Sequence, residues 1–149
     1  PVRWIHFGDG PERARVENAC RRLPDDVKWS LAGHVANPEV ITFFKHTFVH
    51  TFLSFSESEG IPVSMMEAQS FGVPILAVGG YGVPEIVTSE TGRLVSADSP
   101  SEELLDALRA SIDLTQFDRK QIRRFFRNRF LAETNHRVFA ARLAALGTR

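Results

Sequence analysis

Residues 52–77 read FLSFSESEGIPVSMMEAQSFGVPILA, and the order of signals inside them decides the fold. Thr51-Phe52-Leu53-Ser54-Phe55 alternates and is aromatic, which predicts a strand. Ser56-Glu57-Ser58-Glu59-Gly60 follows as a polar turn ending in glycine. Pro62 suits a first helical position, because its missing N–H would have no intrahelical partner there. The helix is expected to run to about Ser70. Gly72-Val73-Pro74 stops it, and Pro74-Ile75-Leu76-Ala77-Val78 reads as the next buried strand. Strand, acidic glycine turn, helix and strand in that order predict an open α/β sheet. In such sheets the ligand lies at the carboxyl ends of the strands.

The start of the expected helix is the chemical feature. Its first N–H groups lack intrahelical acceptors, and the macrodipole places partial positive charge there. A phosphate docks well at such a place. Val63 and Ser64 can donate backbone N–H groups, whereas Pro62 cannot. Glu67 lies three residues past Ser64 and four past Val63, on the same helix face. One helical turn is about 5.4 Å, close to the offset between a nucleotide's phosphates and its ribose. Glu67 is therefore placed to accept both ribose hydroxyls, and Glu59 to reach the group on the far side of the phosphates.

Glu59, seven intervening residues, Glu67 and Ala68, then Gly72-Val73-Pro74, resemble the signature of the group 1 retaining glycosyltransferases of GT-B fold. The likeness extends outward. Phe7-Gly8-Asp9-Gly10-Pro11 resembles that family's glycine turn after a strand, and Leu31-Ala32-Gly33-His34-Val35 its strand ending in Gly-x-Val. Gly79-Gly80-Tyr81-Gly82-Val83-Pro84-Glu85 is similar to its Gly-Gly…Pro-Glu loop, and Gly92-Arg93-Leu94-Val95 to its last strand. The variant Glu-Gly-Ile-Pro-Val-Ser is most similar to members that build capsular or lipopolysaccharide chains. The matches span residues 4 to about 112.

The rest of the chain fits a soluble globular domain. It has 149 residues with 18 basic and 18 acidic side chains, enough for a core of its own. No apolar run is long enough to span a bilayer, and no signal peptide is visible. One cysteine, Cys20, excludes an internal disulfide and suits a reducing cytosol. Its helical spacing with Val16, Ala19 and Leu23 favours a core position over a reactive thiol. Strands are expected over residues 2–7 and 27–32, and helices over 12–23 and from Asn37, with Asn37 as N-cap and Pro38 at the first helical position. Val40, Phe43, Phe44 and Thr47 would be that helix's buried face. The Gly-x-Gly at residues 8–10 invites a dinucleotide reading. Arg13 stands where the third glycine would fall and no acid ends a following strand, so that reading is disfavoured. His34 is either a base-holding or acid–base group or, the better reading, a loop histidine. His46 and His50 are four apart, but no further metal ligands accompany them.

Past the central stretch, the glycines at 79, 80 and 82 predict a flexible loop. Ser99-Pro100-Ser101-Glu102 reads as a capping box with Leu104, Leu105, Leu108 and Ile112 behind it. Asp118 opens a helix with Ile122, Phe125, Phe126 and Phe130 inward, and residues 135–146 form a last amphipathic helix with Val138, Phe139, Leu143 and Leu146. Charge is uneven. Residues 51–106 carry nine acids and one basic residue, while residues from 117 onward carry nine basic residues and two acids. The basic helix is read either as a solvated face or as an attachment to an anionic membrane surface. Nucleic acid is disfavoured, as no stacking aromatics are interleaved.

The resemblance implies a transferase that moves a sugar from a nucleotide-sugar to a polysaccharide, lipopolysaccharide or lipid-linked acceptor. This chain would be its donor-binding half. Residues 1–116 would form the Rossmann-like domain, with the basic helices of 117–149 packed on it. Glu67 would hold the ribose, the Val63 and Ser64 amides the phosphates, and Glu59 the donor sugar as the catalytic carboxylate. Gly60, Gly8, Gly33 and His34 would line the donor. No Asp-x-Asp is present, so metal-independent transfer without a cofactor is expected. The family's Arg…Lys pair on the leaving diphosphate and its acceptor-binding N-terminal domain have no counterpart after Pro1, so the chain looks like a piece of an enzyme, inactive alone. Localisation in the cytoplasm, peripheral to the inner membrane face, follows the same likeness. Two rivals are half of a sugar-nucleotide epimerase and a non-catalytic partner- or membrane-binding member. With the family's strand order 3-2-1-4-5-6 and its first strand missing, the strands at 2–7 and 51–55 would flank an empty slot. They would then pair directly, or a second copy would fill the slot as a homodimer.

Overall fold

The computed structural model describes residues 1–56 and 58–146; Glu57, part of the acidic turn, and residues 147–149 lie outside the described set. The chain divides into two compact units, Pro1–His46 and Thr47–Arg149.

The first unit holds β1 (Val2–His6), α1 (Arg13–Cys20), β2 (Val27–Leu31) and α2 (Asn37–His46). β1 and β2 run parallel, with Val2 opposite Val27 and His6 opposite Leu31. α1 is shorter than expected. Beyond Cys20 the Arg22 and Leu23 N–H groups bond three residues back, to Ala19 and Cys20, and Pro24 disfavours helix in the residue before it. Cys20 is buried, as its spacing predicts. α2 starts a residue early, since the Ala36 carbonyl, not that of Asn37, accepts from Glu39 and Val40. Phe44 is its buried residue, Phe43 meets Phe7 edge-on at 5.0 Å, and Thr47 is exposed beyond its end.

The second unit contains β3 (Phe52–Ser54), α3 (Val63–Ser70), β4 (Ile75–Val78), α4 (Val83–Ile86), β5 (Gly92–Val95), α5 (Ser101–Ile112), α6 (Arg119–Phe130) and α7 (Ala132–Leu146). Its strands are parallel in the order β3-β4-β5. β4 is buried along its whole length, as a parallel strand covered on both faces must be. Strand alternation sends Ile75 and Ala77 to one face, where they meet Met65, Val83, Ile86 and Phe130. Leu76 and Val78 go to the other, against Val95, Leu104, Ala107 and Leu108. This is an α/β fold with helices on both sides of a parallel sheet.

Several expectations are corrected. Among the described residues the strands form a two-stranded sheet, β1-β2, and a three-stranded sheet, β3-β4-β5, with no ladder from β1 to β3. Each pairs instead with the strand that follows it in the chain, across a short helical crossover. Ser99 does not cap α5. Its Oγ accepts from the Ser96 N–H at 3.1 Å, and Pro100 takes the N-cap place without a side-chain bond. Leu105 and Ile112 face solvent, and Ala107 replaces them in the packed stripe. The loop after β4 holds a turn closed by the Val83 N–H on the Gly80 carbonyl at 3.0 Å, and it runs into the short α4. None of the apolar side chains of α7 is buried. Asp118 does cap α6, accepting from the Lys120 N–H at 2.8 Å. α6 packs on α3, close enough that a Cβ at Gly72 would collide with the Arg119 carbonyl.

Candidate functional site

Five of the eight expected site residues gather where β3 runs into α3. Pro62 is extended (φ −65°, ψ 129°) and stands at the N-cap, one position earlier than expected. Its carbonyl accepts from Met65 and Met66 at 3.1 and 3.3 Å, which starts the helix. The cap makes no side-chain hydrogen bond. The Val63 and Ser64 N–H groups therefore keep their donors toward solvent, with no acceptor among the described residues, and both residues are exposed. Burial of Met65 and Ala68 fixes the roll of the helix, and this puts Glu67, half-buried, on the Val63–Ser64 side. Glu59 is half-buried and Gly60 exposed, with open space where a Cβ would stand.

The Glu59–Gly60 turn is held from beneath by the loop after β4. The Gly82 N–H points to the Glu59 carbonyl at 3.5 Å. A Cβ on Gly82 would lie 2.7 Å from the Gly60 carbonyl oxygen, so only glycine lets the two loops touch. Gly82 leads into α4, anchored by buried Val83 and Ile86. The Ile86 carbonyl receives Gln69 Nε2 at 2.8 Å and Thr91 Oγ1 at 2.9 Å, which ties α3, α4 and the turn before β5 together. The glycines at 79, 80 and 82 do not by themselves announce this support. The signal was present in Val83-Pro84-Glu85, with proline and an acid in a first turn.

The remaining three expected residues meet in the first unit. The Gly8 N–H donates to the Gly33 carbonyl at 2.7 Å, joining the carboxyl ends of β1 and β2. Both glycines have positive φ, 137° and 72°. His34 follows, exposed. Beside Gly8 lies a cavity of about 170 Å³ lined by His6, Asp9, Gly10, Arg13 and Leu31 among others. Arg13 is held across it, 3.4 Å from Asp9 and 3.1 Å from the Leu31 carbonyl. A larger hollow of about 660 Å³ lies between β5 and α5, on the face of β4 away from α3. Among the described residues no cluster of three metal-ligating side chains occurs, and no helix is long and apolar enough to cross a membrane.

A parallel α/β sheet whose strand end meets a helix start without a side-chain cap, with one carboxylate in the turn and one a helical turn inside, sets free backbone donors beside two acids, a place where an anionic group can dock. The chain belongs to the family "Glycosyl transferases group 1", whose model matches residues 1–113. Two curated proteins are similar. WcaL of Escherichia coli K12, named as a candidate colanic acid biosynthesis glycosyltransferase, is 27% identical over 148 residues, covering 97% of this chain and 36% of that protein. One component of the Arabidopsis thaliana phosphatidylinositol N-acetylglucosaminyltransferase is 25% identical over 113 residues, covering 76% of this chain and 24% of that one. The apo lipopolysaccharide outer core galactosyltransferase WaaB shares the fold at a TM-score of 0.69 and 20% identity, over 92% of this chain and 40% of its own. AviGT4, a glycosyltransferase of avilamycin A biosynthesis, does so at 0.69 and 20%, over 97% and 43%. The chain thus spans well under half the length of these relatives, and its fold is that of a GT-B glycosyltransferase domain.

Proposed function

We propose that this chain is the donor-binding half of a retaining glycosyltransferase that extends a polysaccharide, lipopolysaccharide or lipid-linked acceptor. The observation that carries the reading is the shared face of the Val63 and Ser64 amides and Glu67. The amides and the helix dipole take the diphosphate of a nucleotide-sugar. Glu67, one turn on, accepts the ribose hydroxyls. Glu59 lies against the donor sugar, where its carboxylate favours the positive charge that grows as the bond from sugar to phosphate breaks. The diphosphate leaves with the bonding electrons, and the acceptor hydroxyl forms the new bond and passes its proton to the departing phosphate oxygen. Gly60 gives the sugar close approach to backbone. The reaction is read as metal-independent. The acceptor is held mainly by a further domain of the parent.

The partner readings follow from surfaces. Lys120, Arg123, Arg124 and Arg127 are exposed along α6, and their spacing gives one basic stripe suited to anionic lipid at the inner face of a membrane. A homodimer through an open strand edge is the second partner reading.

Calorimetry with UDP and GDP tests the site. Weak binding is expected, unchanged by EDTA, and Glu67→Ala should cost about 1–3 kcal/mol, the range for a lost polar contact. Equal affinity for the two proteins would refute the ribose role of Glu67.

A further inference from the structure

The loop that supports the Glu59 turn carries a feature that support alone does not need. Tyr81 is the one non-glycine residue with positive φ (48°) among the described residues. It is also 78% exposed. The Val83 N–H donates to the Gly80 carbonyl at 3.0 Å, closing a four-residue turn with Tyr81 and Gly82 at its centre. Gly82 is at φ −82°, ψ −7°. A positive φ at the first central position of such a turn is uncommon for any residue other than glycine, asparagine or aspartate. A ring-bearing residue there strains the backbone and gains no burial in return. Strain of this kind persists where the surroundings over-determine it and gathers at ligand sites.

The surroundings do over-determine it. Val78 and Val83 are buried on either side of the turn, and Gly82 is locked against Gly60 and Glu59. The ring is thus displayed on a rigid support at the carboxyl end of β4, next in the chain to the glycine that touches the turn carrying Glu59. We propose that Tyr81 is a sugar-stacking residue that receives the face of a pyranose ring, in the donor or the acceptor. A pyranose offers a face of polarised C–H bonds, which suits the negative face of an aromatic ring. Its rim of hydroxyls can bond to the phenol. A rigid aromatic gives such contact at small entropic cost. The inference deepens the donor reading above and rests on it.

The protein has a single tyrosine, so ring-labelled tyrosine gives one set of NMR signals for this residue. With the backbone amides of Val63 and Ser64 followed as well, the chain is titrated with UDP, GDP, their glucose, galactose and mannose conjugates, and free oligosaccharides. Ring shifts with a nucleotide-sugar but not with the nucleotide alone assign the donor sugar. Ring shifts with a free oligosaccharide assign the acceptor. Tyr81→Phe should keep the sugar-dependent affinity within about twofold, while Tyr81→Gly should lose about three- to tenfold of it. Tyr81→Gly should also raise the melting temperature, since glycine accepts positive φ without strain. Amide shifts with nucleotide-sugars but a silent ring overturn the assignment and leave the donor reading standing. Silence at both overturns the donor reading and this inference with it. A Tyr81→Gly protein that melts lower and binds sugar unchanged would make Tyr81 a structural residue.

Discussion

Gly82 is a glycine for reasons of contact, not conformation. Its φ of −82° is open to any residue, yet a Cβ there would sit 2.7 Å from one backbone atom of Gly60 and 2.8 Å from the next. Neither can move without moving the Glu59 turn. Gly82→Ala should therefore destabilise by about 1–3 kcal/mol, as overpacking does, and weaken nucleotide-sugar binding together with stability. A melting curve and a titration on the same variant would show both losses. Thr91 sets a contrasting case. It is fully buried, its hydroxyl donates to the Ile86 carbonyl at 2.9 Å and accepts from the Thr88 N–H at 2.9 Å. Thr91→Val keeps the volume and strands the Thr88 donor, so about 1–3 kcal/mol is expected. The Ile86 carbonyl retains Gln69 as a donor, which keeps the loss from being larger. Chemical denaturation of Thr91→Val with no change in midpoint would contradict this.

The helices differ in how their ends are held, and this decides what was legible in the sequence. Asp118 caps α6 as its residue type announces, and Asp118→Ala should cost about 1 kcal/mol. Ser99 fits a capping box equally well by residue type, yet its hydroxyl bonds Ser96 in the preceding turn. Ser and Thr choose between a helix end and a local turn by geometry that the sequence does not display. The strand–turn–helix at residues 52–70 was legible because glycine, proline and apolar runs all agree there. The short α4 was harder to see, because its four residues show no period and its one signal is the proline and acid of its first turn. In α5 the leucines at 104 and 108 find the sheet, while Leu105 and Ile112 do not, a difference set by how wide a strip β4 and β5 can cover. Just past α5, Asp113 accepts from the Thr115 N–H at 2.9 Å and hydroxyl at 2.8 Å. These bonds hold its carboxyl below the ordinary value. A lowered carboxyl adds stability above its unfolded value and loses it as pH falls through the folded one. The melting curves of wild type and Asp113→Asn should accordingly differ at neutral pH and converge in acid. Curves that stay parallel would remove this contribution.

For the molecule as a whole, charge and open edges set the expected behaviour. The total is balanced, but the basic stripe of α6 stands apart from the acidic middle. Cosedimentation with vesicles rich in anionic lipid should be weak and fade with added salt. Reversing Arg123 and Arg127 to Glu should abolish it, and no change would retire the membrane reading. Among the described residues β3 has a ladder on one side only, toward β4, and open strand edges recruit other chains. Light scattering should reveal a dimer that grows with concentration; a monomer throughout would refute the homodimer.

α7 carries a different consequence. Phe139 and Leu146 are 64% and 72% exposed, and no residue of this 15-residue helix is buried. Opening it uncovers little apolar surface, so its local unfolding is nearly free of the penalty that protects β4 and α3. Under brief digestion trypsin should cut first at Arg137 or Arg142, and the trimmed chain should melt at the temperature of the whole one. Mass spectrometry of the early fragments would read this order directly, with α7 as the first part of the chain to be clipped and the β4 layer as the last.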